Sequence, residues 1–299
     1  MIKIDPFQIP VPRLHQILLG TLAPRPIALA STIDSQGRPN LSPFSFFNVF
    51  GVNPTTLIFS PSRRGRDNTV KHTYENLKEV PEVVINMVNY SMVEQVSLAS
   101  TEYPKGVNEF EKSGLTPVPA EKVKPFRVKE SPVQFECYVR QIIETGVQGG
   151  AGNLVICEIM LIHLQDDLFL ETGIVDPDKI DLVARMGGDY YCRASGHAVF
   201  KVEKPLQKLG IGIDNLPAII RNSSHLSGND LGKLGNIEVL PSTPELRTFR
   251  EEEQKRNFYF PSPAVINDQN VIACAKKLLA ENQSVTALKI LMAYLKSNT

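Results

Sequence analysis

The sequence predicts a mainly β protein with helical excursions, followed by a C-terminal, partly helical appendage. Three observations carry that prediction. Val133-Gln134-Phe135-Glu136-Cys137-Tyr138-Val139-Arg140 alternates strictly, with Val133, Phe135, Cys137 and Val139 on the inward face of a strand. Leu154–Leu164 is nearly all apolar, as in a strand covered on both faces. Shorter strand-like runs are joined by brief turns and interrupted by helices, with no βαβ rhythm, which favours a small closed or partly open barrel over a parallel sheet.

Taken in order, residues 1–24 form a lead-in with one short helix over Pro12–Leu19, where Leu14, Ile17 and Leu18 recur at helical spacing. Arg25–Ile33 reads as a strand and Asp34–Pro39 as its turn. Asn40–Phe50 continues as one aromatic-rich strand and Thr56–Ser60 as a third, together an antiparallel meander. Asp67–Val80 carries Val70, Tyr74 and Leu77 on one helical face, with Asp67 or Asn68 as N-cap. Val83–Val88 is a further strand, and Ser91–Ser100 and Val107–Ser113 are helices leaving the sheet. Beyond Pro205 the texture changes. Residues 205–262 are rich in Gly, Pro, Asn and Ser with little periodicity, and Val271–Ala280 and Val285–Lys296 then read as a helical hairpin. A first domain over 1–205 and an extension over 206–299 are expected.

Composition excludes several classes. The 32 basic and 32 acidic residues cancel, so the average charge lacks the footprint of a nucleic-acid binder. Four dispersed cysteines with no CxxC pair suit reduced thiols better than a disulfide framework. The start, Met1-Ile2-Lys3-Ile4-Asp5-Pro6, is not a signal peptide, and no apolar run approaches bilayer length. A cytoplasmic protein without membrane contact is expected. The five histidines show no metal-ligand spacing.

The chemistry concentrates between Arg25 and Asn76. Ser60, Ser62, Arg63, Arg64, Arg66, Lys71 and Thr73 supply hydroxyls and cations next to a helix start, the donor set a phosphate monoester needs. A solvated basic loop before a capped helix accounts for the same residues. Ser31, Thr32, Ser45 and Asn48 at strand ends suit the polar edge of a heteroaromatic ring, or each other inside a barrel. Phe46 and Phe47 suit ring packing or the core. Gly210-Ile211-Gly212 lacks the third glycine of a dinucleotide loop. No nucleophile with a paired base is evident, which fits a reaction carried by a cofactor.

With these residues in view, the chain resembles the flavin reductase-like family of the FMN-binding split barrel, a flavoredoxin-like fold. The matching pieces are Ala23–Leu29, Asn40–Asn48, Lys71–Asn76, Glu130–Cys137, Gly152–Val155 and Arg185–Tyr190, spread over about residues 20–195. The resemblance implies a homodimer of six-stranded antiparallel barrels with one FMN per subunit near the interface. By the same likeness, Ser31, Thr32, Ser45, Phe46, Phe47 and Asn48 face the isoalloxazine, and Ser60, Ser62, Arg63, Lys71 and Thr73 hold the phosphate. Arg185 and Tyr190 approach from the later part of the chain as substrate contacts. One departure stands out: the family usually has Lys-Asp-Thr where this chain has Lys71-His72-Thr73.

The expected activity is hydride transfer from NADH or NADPH to N5 of FMN, with flavin, iron or a partner protein as acceptor. Binding geometry supplies most of the rate, and no acid–base residue is nominated. The alternative is a non-enzymatic FMN-binding electron carrier or redox sensor. An oxidase of a phosphorylated pyridoxamine-like amine on a related barrel ranks third.

Overall fold

The computed structural model describes residues 1–205 and 209–295. The chain divides into two compact units, Met1–Phe200 and Lys201–Thr299. The first is built on seven antiparallel strands: β1 (Ala28–Ile33), β2 (Pro39–Phe44), β3 (Phe47–Val52), β4 (Thr55–Phe59), β5 (Glu82–Met87), β6 (Val133–Glu144) and β7 (Asn153–Leu164). Their spatial order is β2-β1-β5-β6-β7-β4-β3.

The expectation of six strands is corrected here, because Asn40–Phe50 is two strands rather than one. β2 pairs with β1 and β3 with β4, so β2 and β3 lie at opposite edges of the sheet although only Ser45 and Phe46 separate them. The segment read as three strands is therefore four, paired as two hairpins and not as a meander. A link this short reaches at most roughly 11 Å, so the sheet has to curl until its edges approach. No ladder joins β2 to β3 among the described residues, and the barrel is not closed by hydrogen bonds.

Burial follows the two-residue period of the strands. Ala28 and Ala30 of β1 join the barrel interior with Phe44, Phe59, Ile85 and Cys157. Ile27 and Leu29 join a second core with Leu41, Met92, Val96 and Phe110, formed with helices Val93–Ala99 and Glu109–Ser113. Each fully buried large apolar side chain contributes about 1.5–3 kcal/mol. β6 and β7 form one long hairpin, with register shifts between Ile156 and Cys157 and between Ile159 and Leu161. β7 is not covered on both faces as its composition suggests: Met160, Ile162 and Leu164 are exposed. Cys137 and Cys157 are buried, and burial pushes both thiols up, so they stay protonated.

Two helices frame the strand ends. The lead-in helix α1 spans Val11–Thr21. The helix read over Asp67–Val80 begins later: α2 spans His72–Glu79, with Lys71 as an N-cap that makes no side-chain cap. Asp67 instead closes a turn, its Oδ1 accepting from the Thr69 N–H at 3.0 Å and hydroxyl at 2.7 Å, while Asn68 takes a φ of 59°. Lys71, His72 and Thr73 thus cluster at the α2 N-terminus.

The second unit has its own core, with Leu216, Ile220, Leu234, Val271, Leu288 and Leu291 buried. Helices Asp268–Ala280 and Ser284–Tyr294 form the expected hairpin; Lys296, read into the last helix, lies outside the described residues. Helices Gly228–Gly235 and Thr243–Arg256 occupy a region that shows little periodicity in the sequence. Both begin with a capping box, Ser227 with Asp230 and Ser242 with Glu245, that satisfies two otherwise orphaned N–H groups. Gly210 and Gly212 serve a backbone crossing, where Ile211 N–H bonds Ile237 O at 2.8 Å and Gly212 N–H bonds Gly235 O at 2.9 Å.

Candidate functional site

Three groups of residues meet at the strand ends of the first unit. In the first, Arg25 is buried, and its guanidinium donates to Leu19 O, Leu22 O (3.2 Å), Met186 O (2.9 Å) and Ser45 Oγ (3.4 Å). It caps the carbonyls at the end of α1 and ties the 186–190 turn to the β2–β3 link. Burial first, then repulsion from Arg185, which faces it where the short strands Arg25–Pro26 and Val183–Arg185 pair, lowers its pKa. Arg185 donates to Gly188 O at 2.8 Å and stacks over Tyr191 at 4.6 Å. Tyr190 is 77% exposed and projects from the same turn.

The second group runs along the edge of the sheet. Phe46 is half-exposed, with His15 edge-on at 6.3 Å, and its carbonyl accepts from Ser60 N–H at 2.9 Å. Phe47 packs on the barrel interior, whereas Asn48 is exposed and its Oδ1 accepts from Val49 N–H at 2.8 Å. Ser60 Oγ accepts from Asn153 N–H at 3.0 Å and lies 3.3 Å from Ser62 Oγ. Asn153 also holds Pro61 O at 2.9 Å, while its buried Oδ1 has no partner among the described residues.

The third group is a polar recess at the α2 N-terminus, lined by Asn40, Ser42, Arg64, Lys71, His72, Thr73, Glu102 and Glu109 among others. Glu102 gathers the cations. Its Oε1 accepts from Arg64 Nε at 2.9 Å and Lys71 Nζ at 3.1 Å, and its Oε2 from Arg66. Burial raises the Glu102 carboxyl, but the Lys71 and Arg64 hydrogen bonds overcome that and bring it down to about 2. His72 shifts downward, by burial first and then by Arg64, Lys105 and Lys71, against an opposing pull from Glu75. The imidazole is therefore neutral at pH 7, and it does not replace the family's acidic residue as an anion.

The structure separates some residues that the sequence groups. Arg64, not Arg63, reaches the recess; Arg63 turns to Asn68, donating to Oδ1 and to the backbone O at 2.8 Å each. Thr32 is buried and engaged, its Oγ1 accepting from Asn76 at 3.2 Å and Asn40 at 3.5 Å. Asn40 also donates to Thr73 Oγ1 at 2.9 Å, which docks α2 on β1 and β2. Thr73 lines the recess, and no acceptor is paired with its hydroxyl proton among the described residues. Ser31 is fully buried beside Leu41, its Oγ without a partner among the described residues. Sequence reasoning missed Glu102, Asn40 and Asn153. The two asparagines sit inside motifs it had singled out, but nothing local marks Glu102, which lies 31 residues beyond Lys71 and meets it only through the fold.

A phosphate fits this donor set. Two half-buried cations, Arg64 and Lys71, already converge on the Glu102 carboxylate, and the Thr73 hydroxyl at the start of α2 lines the same recess. The remaining free space is about 20 Å³, room for little more than one water. The recess therefore suits the phosphate end of a nucleotide-like cofactor rather than a ring system.

Comparison with known proteins bears on that fit. Residues 20–178 match the sequence family described as flavin reductase like domain. An uncharacterised protein of Aquifex aeolicus is 39% identical over 189 residues, which is 63% of this chain and 94% of that protein. Nitrilotriacetate monooxygenase component B from Bacillus cereus superposes with a TM-score of 0.63 at 25% identity, over 68% of this chain and 98% of the other. The 2-nitrobenzoate 2-nitroreductase of Pseudomonas fluorescens gives 0.60 at 25% identity, over 70% of this chain and all of the other.

Proposed function

We propose that this chain, which belongs to the flavin reductase-like family, is an FMN-dependent oxidoreductase that takes its reducing equivalents from NADH or NADPH. The observation that carries the reading is the convergence of Arg64 and Lys71, beside the Thr73 hydroxyl, on a single anionic group at the start of α2. These residues hold the FMN phosphate. Ser45, Ser60 and Ser62 offer hydroxyls along the adjoining edge, and half-exposed Phe46 offers an apolar face to the ring. Bound FMN supplies the hydride- and electron-accepting chemistry.

The remaining roles are positional. Arg25 fixes the 186–190 turn relative to Ser45, so Arg185 and Tyr190 stand at the substrate side of that edge. No side chain is assigned a proton transfer. Neighbours described as a monooxygenase component and a nitroreductase support a redox reaction, with flavin, iron or a partner protein as the final acceptor. The exposed apolar residues of β3 and β7 suit a second copy of the chain, making the working unit a homodimer.

The test is the visible spectrum of purified protein supplied with FMN, before and after NADH or NADPH. Flavin absorbance that bleaches, followed by steady turnover with added flavin, supports the enzyme. Bound flavin without turnover supports an electron carrier instead. Lys71→Ala is expected to weaken FMN at least about tenfold by fluorescence titration while sparing riboflavin, since it removes a charged hydrogen bond to the phosphate. Equal FMN affinity in the variant would remove the phosphate assignment.

A further inference from the structure

Arg64 and Lys71 have Glu102 as their one carboxylate partner among the described residues. Arg66 differs, being 71% exposed and shared with Asp67. The inner pair is half-buried, with side-chain exposures of 14% and 30%, so it needs an anion more than a surface pair does. Glu102 meets that need from the segment between helices Val93–Ala99 and Glu109–Ser113. In the recess its carboxylate takes Arg64 Nε and Lys71 Nζ and leaves about 20 Å³ of free space beside them, while Arg64 Nη1 is held by Thr69 Oγ1 and Val70 O. A phosphate group is larger than the water that space admits. An incoming phosphate that bonds Arg64 Nε and Lys71 Nζ therefore competes with the carboxylate for the same donors.

We infer that Glu102 is a displaceable internal counter-ion of the phosphate-holding cations, competing with the ligand's phosphate and coupling its arrival to movement of the 99–106 segment. The inference rests on the phosphate assignment made above and adds a residue that works against it. Without ligand, Glu102 keeps Arg64 and Lys71 neutralised and in place. On binding, the phosphate inherits both hydrogen bonds and the carboxylate turns to solvent. The neighbouring Lys105–Glu75 ion pair, at 2.7 Å, tethers the far end of the segment to α2, so the motion is confined to residues around Glu102. The cost of parting Glu102 from its partners subtracts from affinity for phosphorylated ligands alone.

The experiment compares wild type, Glu102→Gln and Glu102→Ala, binding FMN, riboflavin and inorganic phosphate by fluorescence and competition titration. Both variants are expected to tighten FMN roughly fivefold, from loss of the competing carboxylate, with riboflavin unchanged. Inorganic phosphate is expected to compete with FMN better in the variants than in wild type. Hydrogen exchange in 99–106 is expected to rise when wild type binds FMN but not when it binds riboflavin. FMN binding that is unchanged or weaker in both variants overturns the inference, as does equal tightening of riboflavin. Wild type that fails to prefer FMN over riboflavin overturns the phosphate assignment itself, a different result from any of these.

Discussion

Glu136 on β6 is fully buried, and its carboxylate accepts from the backbone N–H groups of Glu121 and Lys122 and from His163 Nε2 at 2.6 Å. One side chain thereby holds the 119–127 loop against the sheet. Burial raises its carboxyl, but the two backbone hydrogen bonds and His163 outweigh that, so the folded pKa lies below the ordinary 4.5. A depressed carboxylate contributes stability that is present above its unfolded pKa and lost as pH falls through its folded one. Glu136→Gln turns an amide NH₂ towards donors and is expected to cost about 2 kcal/mol at pH 7. Urea unfolding at pH 7 and below pH 4 checks both points: the gap between wild type and variant should shrink in acid. An unchanged gap would assign the loss to packing alone.

Among the elements, the strands were legible where one face alternates. Phe135, Cys137 and Val139 point into the barrel as their spacing requires. The β2–β3 break was not legible, because Ser45-Phe46 has no Gly or Pro to mark it, and the aromatic run reads straight through. The α2 start was misread for a related reason. Asp67 and Asn68 are good cap residues, but their side chains serve a turn that arginines 63 and 64 hold in place. Helix Thr243–Arg256 buries only Glu253 and so has little apolar stripe to detect, although its Ser242–Glu245 box was written in the sequence. Within the site, the hydroxyls and cations were readable as a donor set. The carboxylate they gather on was not, since ion pairs between distant segments leave no local pattern.

The glycines of the second unit allow a test at the same scale. A Cβ on Gly210 would lie 2.6 Å from Gly235 O and 3.0 Å from Asn236 Cα, backbone atoms that cannot swing away. Gly210→Ala is expected to cost about 1–3 kcal/mol, as overpacking does. Gly228→Ala, which meets nothing within 4 Å, should fall within about 0.5 kcal/mol of wild type. Urea unfolding of the full chain followed by helical circular dichroism reads the difference. Equal midpoints would mean that the 210–212 crossing is not closely packed in solution.

For the whole molecule, no described helix is long and apolar enough to cross a membrane, and the first unit carries exposed apolar residues on its sheet. Val49, Phe50 and Val52 are 55%, 65% and 85% exposed on an edge strand, which natural proteins usually protect. We propose that a second copy covers them. Phe50→Asp is expected to shift sedimentation from dimer towards monomer, and a wild-type chain that sediments as a monomer at micromolar concentration would sink the proposal.

The strap of Ser45 and Phe46 between opposite rims has a further consequence for how the chain is made. Both early hairpins are complete by Phe59, yet the pieces that bridge them, β5, β6 and β7, end only at Leu164. During synthesis from the N-terminus, four finished strands wait with bare flanks until more than a hundred further residues have emerged. Such delayed long-range pairing slows folding and invites mispairing. The nascent chain is therefore most exposed to aggregation in the interval before the last hairpin leaves the ribosome.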